Sequence, residues 1–311
     1  MKDVFIAVRR TDNVVMMIIN KYIVEQIAKI ESSISMINLW QKLPSDLEYE
    51  CFLLAIYAAI CHQMTTEFIV AKLRSISKEK FTAGELAKFT EADFYNLVKD
   101  YPQQDRLRVK ERTELLTDFC KVLVEQFGGS MTGLLKISDY DAEKIEQNLC
   151  KAKAFGEDSV GKKRNMLIHA LHFQKLANIK NMENANPAID YHLIRMSLRQ
   201  GRLDLDNGLL NQKILNNEPI TFEEDVTIRT KVAELMKQGA AIAQKGIPEY
   251  NWNEFHLARS FCVRGEPKCQ TSENPVKDVL KFTFEGKCPF FDVCKKRKEY
   301  KLEPNFKSSF Y

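Results

Sequence analysis

The sequence has few of the features that mark membrane-bound, secreted or fibrous proteins. Its longest apolar run extends from Cys51 to Cys61, which is too short to cross a bilayer, because a spanning helix needs about 20 residues. The polar run Arg9–Asp12 interrupts the N-terminal apolar stretch, so we expect no signal peptide. There is no internal repeat and no low-complexity tract. We therefore expect a protein of a reducing compartment, the cytoplasm, with no membrane partner.

Size and composition narrow the class of protein further. The 311 residues are enough for one large domain or two smaller ones, each with its own core. Hydrophobic residues make up 45% and charged residues 28%, which is ordinary for a globular protein. A net charge of +4 neither requires nor excludes a nucleic-acid partner, so the distribution of charge matters more than its total.

Strand patterns are scarce, and the best candidates are Val4–Val8 and Val14–Ile19. Helical periodicity dominates instead. Apolar residues between Leu115 and Phe127 recur every three or four positions, and Gly128 ends that helix. The stretch 201–220 is rich in Asn, Asp and Gly and is predicted to be a loop. The sequence thus predicts a mainly α protein.

Three capping boxes mark helix starts, each with a hydroxyl residue followed three positions later by glutamate. They are Ser45 with Glu48, Thr82 with Glu85, and Thr221 with Glu224. Together with the periodicity they predict helices at 46–61, 65–76, 82–89, 91–99, 106–127, 139–153, 162–179, 190–200, 222–245 and 252–261.

Four of the eight cysteines lie within the last fifty residues. Their spacing is C-x6-C, then eighteen residues, then C-x5-C, and they are Cys262, Cys269, Cys288 and Cys294. Four thiols near one end of a chain that we expect to be reduced indicate a metal centre rather than a set of disulfides. Four thiolates suit Zn²⁺ as well as an iron–sulfur cluster. The other four cysteines are expected to be small buried hydrophobes.

Three further segments place polar groups at predicted helix ends. CHQ at 61–63 closes one helix, DSVGKKRN at 158–165 forms a turn between two helices, and IDYHLIR at 189–195 opens another. A turn that opens a helix presents free backbone amides, which bind phosphate without reading sequence. A carboxylate at a helix start, such as that of Asp190, is favoured in its ionised form by the helix dipole.

In this order the four segments resemble the helix-hairpin-helix DNA glycosylase superfamily, most closely its endonuclease III-like branch with a 4Fe–4S cluster. The resemblance covers roughly residues 45–300. It implies two helical domains that flank a DNA-binding cleft. An N-terminal segment, 1–45, would pack with the C-terminal domain, 46–182 would form a helical barrel with the hairpin, and 183–311 would hold the catalytic aspartate and the cluster loop.

The resemblance implies base-excision repair of DNA. The enzyme would cleave the N-glycosidic bond of a damaged or modified base and then cut the strand by β-elimination. Asp190 matches the catalytic aspartate, which stabilises the positively charged sugar or activates a nucleophile; its other interpretation is a simple helix cap. Lys163 matches the lysine that attacks C1′ and forms a Schiff base, and Lys162 is the alternative if the register is shifted by one.

Other residues are matched to DNA contact. Gln63 resembles the residue that fills the gap left by an extruded base. Tyr191 is a candidate for the base pocket. The remaining candidates come from the hairpin and from the segment after Asp190, and they are Ser159, Val160, Gly161, Lys162, Arg164 and His192.

The four cysteines resemble the family's cluster loop, which implies a 4Fe–4S cluster, with zinc as the alternative. The second gap differs, because it has eighteen residues where the family usually has two. The inserted stretch Gln270–Lys287 is predicted to be a hairpin built on Val279–Phe284.

The implied partner is double-stranded DNA, bound by a monomer in the nucleoid. Two alternatives stay open. One is a non-catalytic DNA-binding protein that is stabilised by a metal. The other is a glycosylase that acts on a modified base in RNA or foreign DNA, which the insertions at 178–186 and 270–287 favour.

Overall fold

The computed structural model describes residues 17–37, 45–205, 208–296, 298–300, 303–306 and 308–310. Within these ranges the protein is mainly helical, as predicted, with fourteen α-helices and four short strands. None of the helices in these ranges is long and apolar enough to cross a membrane. The chain divides into two compact units. The first comprises Met1–Leu39 and Ile189–Lys307, and the second comprises Trp40–Ala188 and Ser308–Tyr311.

The first unit joins elements from both ends of the chain. Its elements are β1 (Met17–Ile19), α1 (Lys21–Glu31), β2 (Ser35–Met36), α11 (Tyr191–Gln200), β3 (Leu203–Leu205), α12 (Leu209–Leu215), α13 (Phe222–Ala243), α14 (Ile247–Ser260) and β4 (Leu280–Lys281). Antiparallel pairs connect the two parts of the chain, since β1 pairs with β3 and β2 pairs with β4. Helices α1 and α14 also pack against the long helix α13.

Three predictions for this unit need correction or limits. The predicted strand at 14–19 is confirmed for Met17–Ile19, whereas Val4–Val8 and positions 14–16 lie outside the described residues. The predicted hairpin on Val279–Phe284 is wrong, because β4 pairs with β2 instead of with its own neighbours. The loop predicted at 201–220 contains β3 and α12, where Leu210 and Ile214 are buried.

The second unit is a bundle of nine helices in the described part of the chain, with short 3₁₀ turns at Gln104–Arg106 and Met182–Asn184. The helices are α2 (Leu47–Ile60), α3 (Thr66–Arg74), α4 (Ala83–Leu86), α5 (Glu91–Val98), α6 (Val109–Phe127), α7 (Met131–Ile137), α8 (Ala142–Leu149), α9 (Lys153–Gly156) and α10 (Lys162–Phe173). Helix α2 is apolar on most of its surface and forms the centre of the core, packed by α6, α7 and α10.

Side-chain hydrogen bonds at the helix N-termini explain which of the predicted capping boxes are right and which are wrong. The capping box of Thr221 and Glu224 is confirmed. The box predicted at Ser45 is wrong, because Asp46 caps α2 and Glu48 accepts instead from the first amides of α7. That remote cap stabilises α7, which the sequence pattern missed. At α4 the box is half formed, because Glu85 pairs with Lys88 and does not return to the cap.

Helix ends also differ from the predictions. The helix predicted at 139–153 is divided into α8 and α9, and the one predicted at 162–179 ends at Phe173, before a left-handed residue, Lys175. Gly128 ends α6 in the left-handed conformation, as predicted.

A buried carboxyl group lies in the core of the first unit. Glu31, at the end of α1, is fully buried and accepts a hydrogen bond from Asn253 Nδ2 at 3.1 Å. Burial first, and the negative charge of Glu254 second, raise the pKa of Glu31 from its ordinary value to about 8. Glu254 itself is neutralised by the buried Arg202 at 2.8 Å. Glu31 is therefore mostly protonated at neutral pH.

We expect this group to make the first unit less stable as the pH rises. A carboxyl group whose folded pKa is raised binds its proton in the folded state when the unfolded chain has lost it. Its contribution is complete below pH 4.5 and is lost as the pH rises to about 8. Urea unfolding of the wild type and of Glu31→Gln between pH 4 and 9 measures this. The stability difference between the two proteins should change across that window, and a constant difference contradicts the assignment.

Candidate active site

The carboxyl end of α2 receives two buried cationic side chains from other helices of the second unit. Arg112 of α6 donates to the carbonyl oxygens of Ile60, His62 and Leu107. Lys163 of α10 donates from Nζ to the carbonyl oxygen of Ala59 at 2.6 Å. Free carbonyls at a helix end attract cations, because they carry the negative end of the helix dipole. The two side chains thus fix the turn that follows α2.

Gln63 lies in that turn with a left-handed backbone, at φ 59°. This conformation is unfavourable for a residue with a side chain, and it persists where the surrounding structure enforces it. Here the carbonyl before Gln63, that of His62, is held by Arg112. The Gln63 side chain is half-buried and forms no hydrogen bond with any residue that the structure describes. Strain of this kind is concentrated at functional positions.

The predicted hairpin is a tight turn before α10. Gly161 is the N-cap of α10 and has a left-handed backbone, at φ 75°. Ser159 does not adopt a positive φ, so its position in the turn does not require glycine. The Asp158 carboxylate accepts from the amides of Val160 and Lys162, at 3.1 and 2.9 Å. Two of the amides that were predicted to bind phosphate are therefore already hydrogen-bonded within the turn.

Arg164 supports the same turn from inside. Its guanidinium pairs with Glu146 at 2.7 Å and donates to the carbonyl oxygens of Phe155, Asp158 and Ser159. The side chain is buried. A Cβ on Gly161 would lie 2.2 Å from Arg164 Cζ. The turn thus requires glycine at 161 for two reasons, its backbone conformation and the close approach of the guanidinium.

Lys163 and Lys162 lie in different surroundings, which bears on the register of the proposed nucleophile. The side chain of Lys163 is only 2% exposed. Burial lowers the pKa of Lys163 to about 7, and the charges of Lys162 and Arg112 act in the same direction. Lys162 is half-buried, with Nζ 3.5 Å from Met166 Sδ and 4.0 Å from Cys61 Sγ. Lys163 is therefore the lysine with a substantial neutral fraction at neutral pH.

Asp190 opens α11 in the first unit. It is buried, and its Oδ1 accepts from the backbone amides of His192 and Leu193, at 2.9 and 3.1 Å. This is the N-cap geometry that the sequence allowed as the simpler interpretation. The second carboxylate oxygen, Oδ2, accepts no hydrogen bond from the described residues. One oxygen thus fixes the carboxylate while the other stays available.

The residues after Asp190 connect the start of α11 with the cysteine loop. His192 Nδ1 lies 3.0 Å from Arg195 Nη2, so the imidazole accepts from the guanidinium and carries its proton on Nε2. Arg195 also donates from Nε to the carbonyl oxygen of Cys262 and pairs with Glu303 at 2.7 Å. Tyr191 is half-buried, with its ring centroid 4.3 Å from that of His192.

One turn further along α11, Arg199 holds the cysteine loop directly. It is fully buried and donates from Nη1 to Cys262 Sγ at 3.4 Å. The same guanidinium donates to the carbonyl oxygens of Val263, Gly265 and Tyr300. Helix α11 therefore positions the first cysteine by both its carbonyl and its sulfur.

Three of the C-terminal cysteines lie close enough to the fourth, Cys288, to act on it electrostatically. None of them forms a disulfide. Burial raises the pKa of the Cys288 thiol, and charge on Cys294, Cys269 and Cys262 raises it further. In the part of the chain that the structure describes, no three Cys, His, Asp or Glu side chains converge as ligands of a single metal ion.

The two ends of the eighteen-residue insertion between the second and third cysteines lie next to each other. Gln270 and Lys287 form an antiparallel bridge, and the Cys288 amide donates to the Cys269 carbonyl at 2.8 Å. This stem makes Cys269 and Cys288 neighbours. The long gap in sequence is therefore a short gap in space.

Several basic residues around the loop are neutralised within the protein. Lys296 pairs with Asp204 at 2.6 Å, and Arg264 lies 3.5 Å from Glu303. Lys295 lies over the ring of Tyr22. Arg297 lies outside the described residues. The exposed cations Arg259 and Lys268 are on the same loop or on the helix before it.

Sequence reasoning missed the residues that support the site from inside, and some of them had a visible signal. Arg112 occupies a core position in the helical repeat that continues through Leu115 and Leu116, and a charge at such a position indicates a buried cation. Arg195 and Arg199 likewise follow one another at helical spacing. His62 and Asp158 gave no such signal, because their partners are distant in sequence or belong to the backbone.

No protein-family model matches the chain, and no curated protein matches it. The resemblance therefore rests on the four sequence segments alone.

We expect Gly161→Ala to destabilise the second unit. The left-handed conformation alone costs about 1–2 kcal/mol for alanine, and the contact with Arg164 adds to it. Gly84→Ala is the matched control, because Gly84 has no atom within 4 Å of an added Cβ and no left-handed backbone. Denaturant unfolding measures both variants. Equal stabilities of the two variants would contradict the assigned role of Gly161.

Proposed function

We propose that this chain is a DNA glycosylase of the helix-hairpin-helix superfamily, which excises a damaged or modified base and then cuts the strand as a lyase. The observation that carries the proposal is the burial of Lys163 in the first turn of α10, with its Nζ 2.6 Å from the Ala59 carbonyl oxygen. A lysine that attacks a sugar carbon must be neutral, and an ordinary lysine at neutral pH is almost fully charged. Burial lowers the pKa of Lys163 from its ordinary value to about 7, which favours the neutral amine.

The surroundings of Lys163 also support the proposed register. Lys163, rather than Lys162, is buried, and burial is the first cause of its lowered pKa. Both residues belong to the first turn of α10, directly after the left-handed Gly161. In the proposal, Lys163 Nζ attacks C1′ of the target nucleotide and forms the imine. Lys162 contacts phosphate, a role in which a single positive charge suffices.

Asp190 would act on the sugar as a fixed carboxylate. Breaking an N-glycosidic bond builds positive charge on the sugar, and a preorganised negative group stabilises it. The cap fixes Oδ1 on two amides, while Oδ2 accepts no hydrogen bond from described residues. His192 orients this segment through Arg195.

Gln63 would fill the gap that an extruded base leaves in the duplex. Its strained, left-handed backbone and its half-buried side chain support this role.

Fewer groups of the hairpin are available to contact the phosphate backbone of DNA than the sequence suggested. Asp158 already occupies the amides of Val160 and Lys162, and Arg164 is directed inward. The hairpin's contribution to DNA binding therefore comes from its remaining amides and from Lys162.

The cysteine loop fits a 4Fe–4S cluster. The donor set is four thiols on one loop, its long gap is closed by the stem at Gln270 and Lys287, and Arg199 donates to the sulfur of Cys262. In such a cluster each cysteine binds a different iron, whereas zinc draws all four sulfurs to one ion. The sequence resemblance, rather than the arrangement of the thiols, favours the cluster over zinc. When bound, it would hold the loop in place through Cys262, Cys269, Cys288 and Cys294.

One rival has specific support. Asp190 caps α11, Lys163 caps α2, and Asp158 satisfies two hairpin amides. Each of these groups thus has a structural role that needs no reaction. A non-catalytic DNA-binding protein with the same metal loop would retain all of them.

Asp190→Asn separates the two functions. Asparagine caps a helix about as well as aspartate, so the variant should fold with nearly unchanged stability while the charge is lost. We expect the rate of base release from duplexes with damaged bases to fall about 10²-fold or more. Single-turnover cleavage after alkali treatment measures it. If the wild-type protein binds duplex DNA and releases no base from a panel of lesions, the non-catalytic rival is correct.

Cys288→Ser tests the cofactor. We expect the wild-type protein to contain iron and acid-labile sulfide and to absorb visible light. We expect the variant to lose most of the iron, of the sulfide and of the absorption. Cys150→Ser is the matched control, because Cys150 is exposed and belongs to the other unit. Elemental analysis of anaerobically purified protein measures the metals. A colourless wild-type protein with one equivalent of zinc would contradict the iron–sulfur assignment.

A further inference from the structure

Two buried side chains of the second unit, Lys163 and His62, and the half-buried side chain of Glu111 lie in a row that begins at Lys163. The Nζ atom of Lys163 is 3.4 Å from His62 Nδ1, and His62 Nε2 is 3.7 Å from Glu111 Oε1. His62 is 1% exposed. Its Nε2 has no hydrogen-bond partner within normal distance in the described structure. Nothing in the sequence resemblance assigns a role to this histidine.

The imidazole of His62 is neutral under ordinary conditions. Burial lowers its pKa, and the positive charges of Lys163, Arg112, Arg108 and Lys162 lower it further. A neutral imidazole has one N–H donor and one acceptor nitrogen. Because the carboxylate of Glu111 lies on the Nε2 side, the proton is favoured on Nε2. The lone pair of Nδ1 then points toward Lys163.

Two acceptors therefore face the Lys163 nitrogen, the carbonyl oxygen of Ala59 at 2.6 Å and His62 Nδ1 at 3.4 Å. A lysine ammonium has three N–H donors. A neutral amine has two N–H groups and one lone pair. If both acceptors keep their N–H partners after deprotonation, the lone pair is left in the remaining tetrahedral direction, away from Ala59 and His62.

We propose that His62 is a positioning residue, which together with the Ala59 carbonyl aims the lone pair of the Lys163 amine at its target carbon. The inference rests on the proposed lyase function and deepens it. Glu111 takes part by holding the tautomer of His62 that accepts at Nδ1. Fixed orientation of a nucleophile contributes to rate because little conformational freedom is then lost on reaching the transition state.

The step is simplest on an abasic site, where no base has to leave. The Nζ lone pair of Lys163 adds to the aldehyde carbon C1′, and one amine proton moves to the former carbonyl oxygen to give a carbinolamine. That hydroxyl then leaves as water with the second amine proton, and the imine forms. Borohydride reduces the imine to a stable amine, which links protein and DNA covalently.

Ionisable groups at three helices surround this row. Cys61 follows α2, Arg108 precedes α6 and pairs with Glu111, Arg112 belongs to α6, and Lys162 precedes Lys163 in α10. Cys61 and Glu111 favour the charged ammonium, whereas Lys162 and Arg112 disfavour it. His62 adds a neutral acceptor that favours the ammonium as well. Its removal should therefore lower the pKa of Lys163 and at the same time disorder the amine.

The experiment measures the rate of borohydride trapping on a duplex with one abasic site, from pH 5.5 to 9, under single-turnover conditions. For His62→Leu we expect the plateau at high pH to fall about tenfold or more, and the midpoint to move to lower pH. For His62→Asn we expect a plateau within about threefold of the wild type, because asparagine Oδ1 replaces Nδ1 as acceptor. A purely structural role would not distinguish the two variants in this way.

The matched control is His169→Leu, which makes the same change at another buried histidine of the second unit. Its plateau and midpoint should equal those of the wild type. If His62→Leu does not fold, Glu111→Ala decides the question, because the Glu111 side chain is 27% exposed and its loss frees the other tautomer of His62. We then expect the plateau at high pH to fall to about one third of the wild-type value or below.

Two results would overturn the inference while the proposed function stands. One is that folded His62→Leu has the same plateau and the same midpoint as the wild type. The other is an equally low plateau in His62→Leu and His62→Asn. If the wild-type protein traps no abasic DNA at any pH, the lyase function itself fails and the inference fails with it.

Discussion

The end of α2 is the point on which the second unit's candidate chemistry depends. Burying a cation costs several kcal/mol unless polar partners replace its water. Here the partners are backbone carbonyls that the helix leaves unpaired, and they receive Arg112 and Lys163. One arrangement thus satisfies the helix end, fixes the strained turn at Gln63 and holds a lysine where water is scarce. The low pKa of Lys163 is a consequence of that burial.

In the first unit, helix α11 supports the candidate site in the way that the end of α2 supports it in the second unit. Its N-cap is the carboxylate Asp190, its second turn holds Arg195, and its third holds Arg199. The two arginines bind the carbonyl and the sulfur of Cys262. The carboxylate and the cysteine loop are therefore connected by a single rigid helix.

The sequence predicted features that depend on local chemistry. Helix periodicity, the glycine that ends α6 and the cap of α13 were all readable. It failed where the partner is far away in the chain. Glu48 was expected to cap its own helix and instead caps α7, and the strand at 280–281 pairs with residues 35–36. At the candidate site, the sequence predicted which residue types lie at the helix ends. It could not predict that Arg164 is directed inward or that Asp158 accepts hydrogen bonds from two hairpin amides, because both depend on three-dimensional packing.

The pairing of β1 with β3 and of β2 with β4 sets an order of assembly during synthesis. The second unit is nearly continuous in sequence, so most of its contacts are available once residue 188 has left the ribosome. The first unit has to wait for its C-terminal part, because Ser35 and Met36 pair with residues that follow about 245 positions later. Until then the early strands have no partner edge. The cysteine loop can likewise close only after Cys294 has been translated, because its four cysteines span residues 262–294.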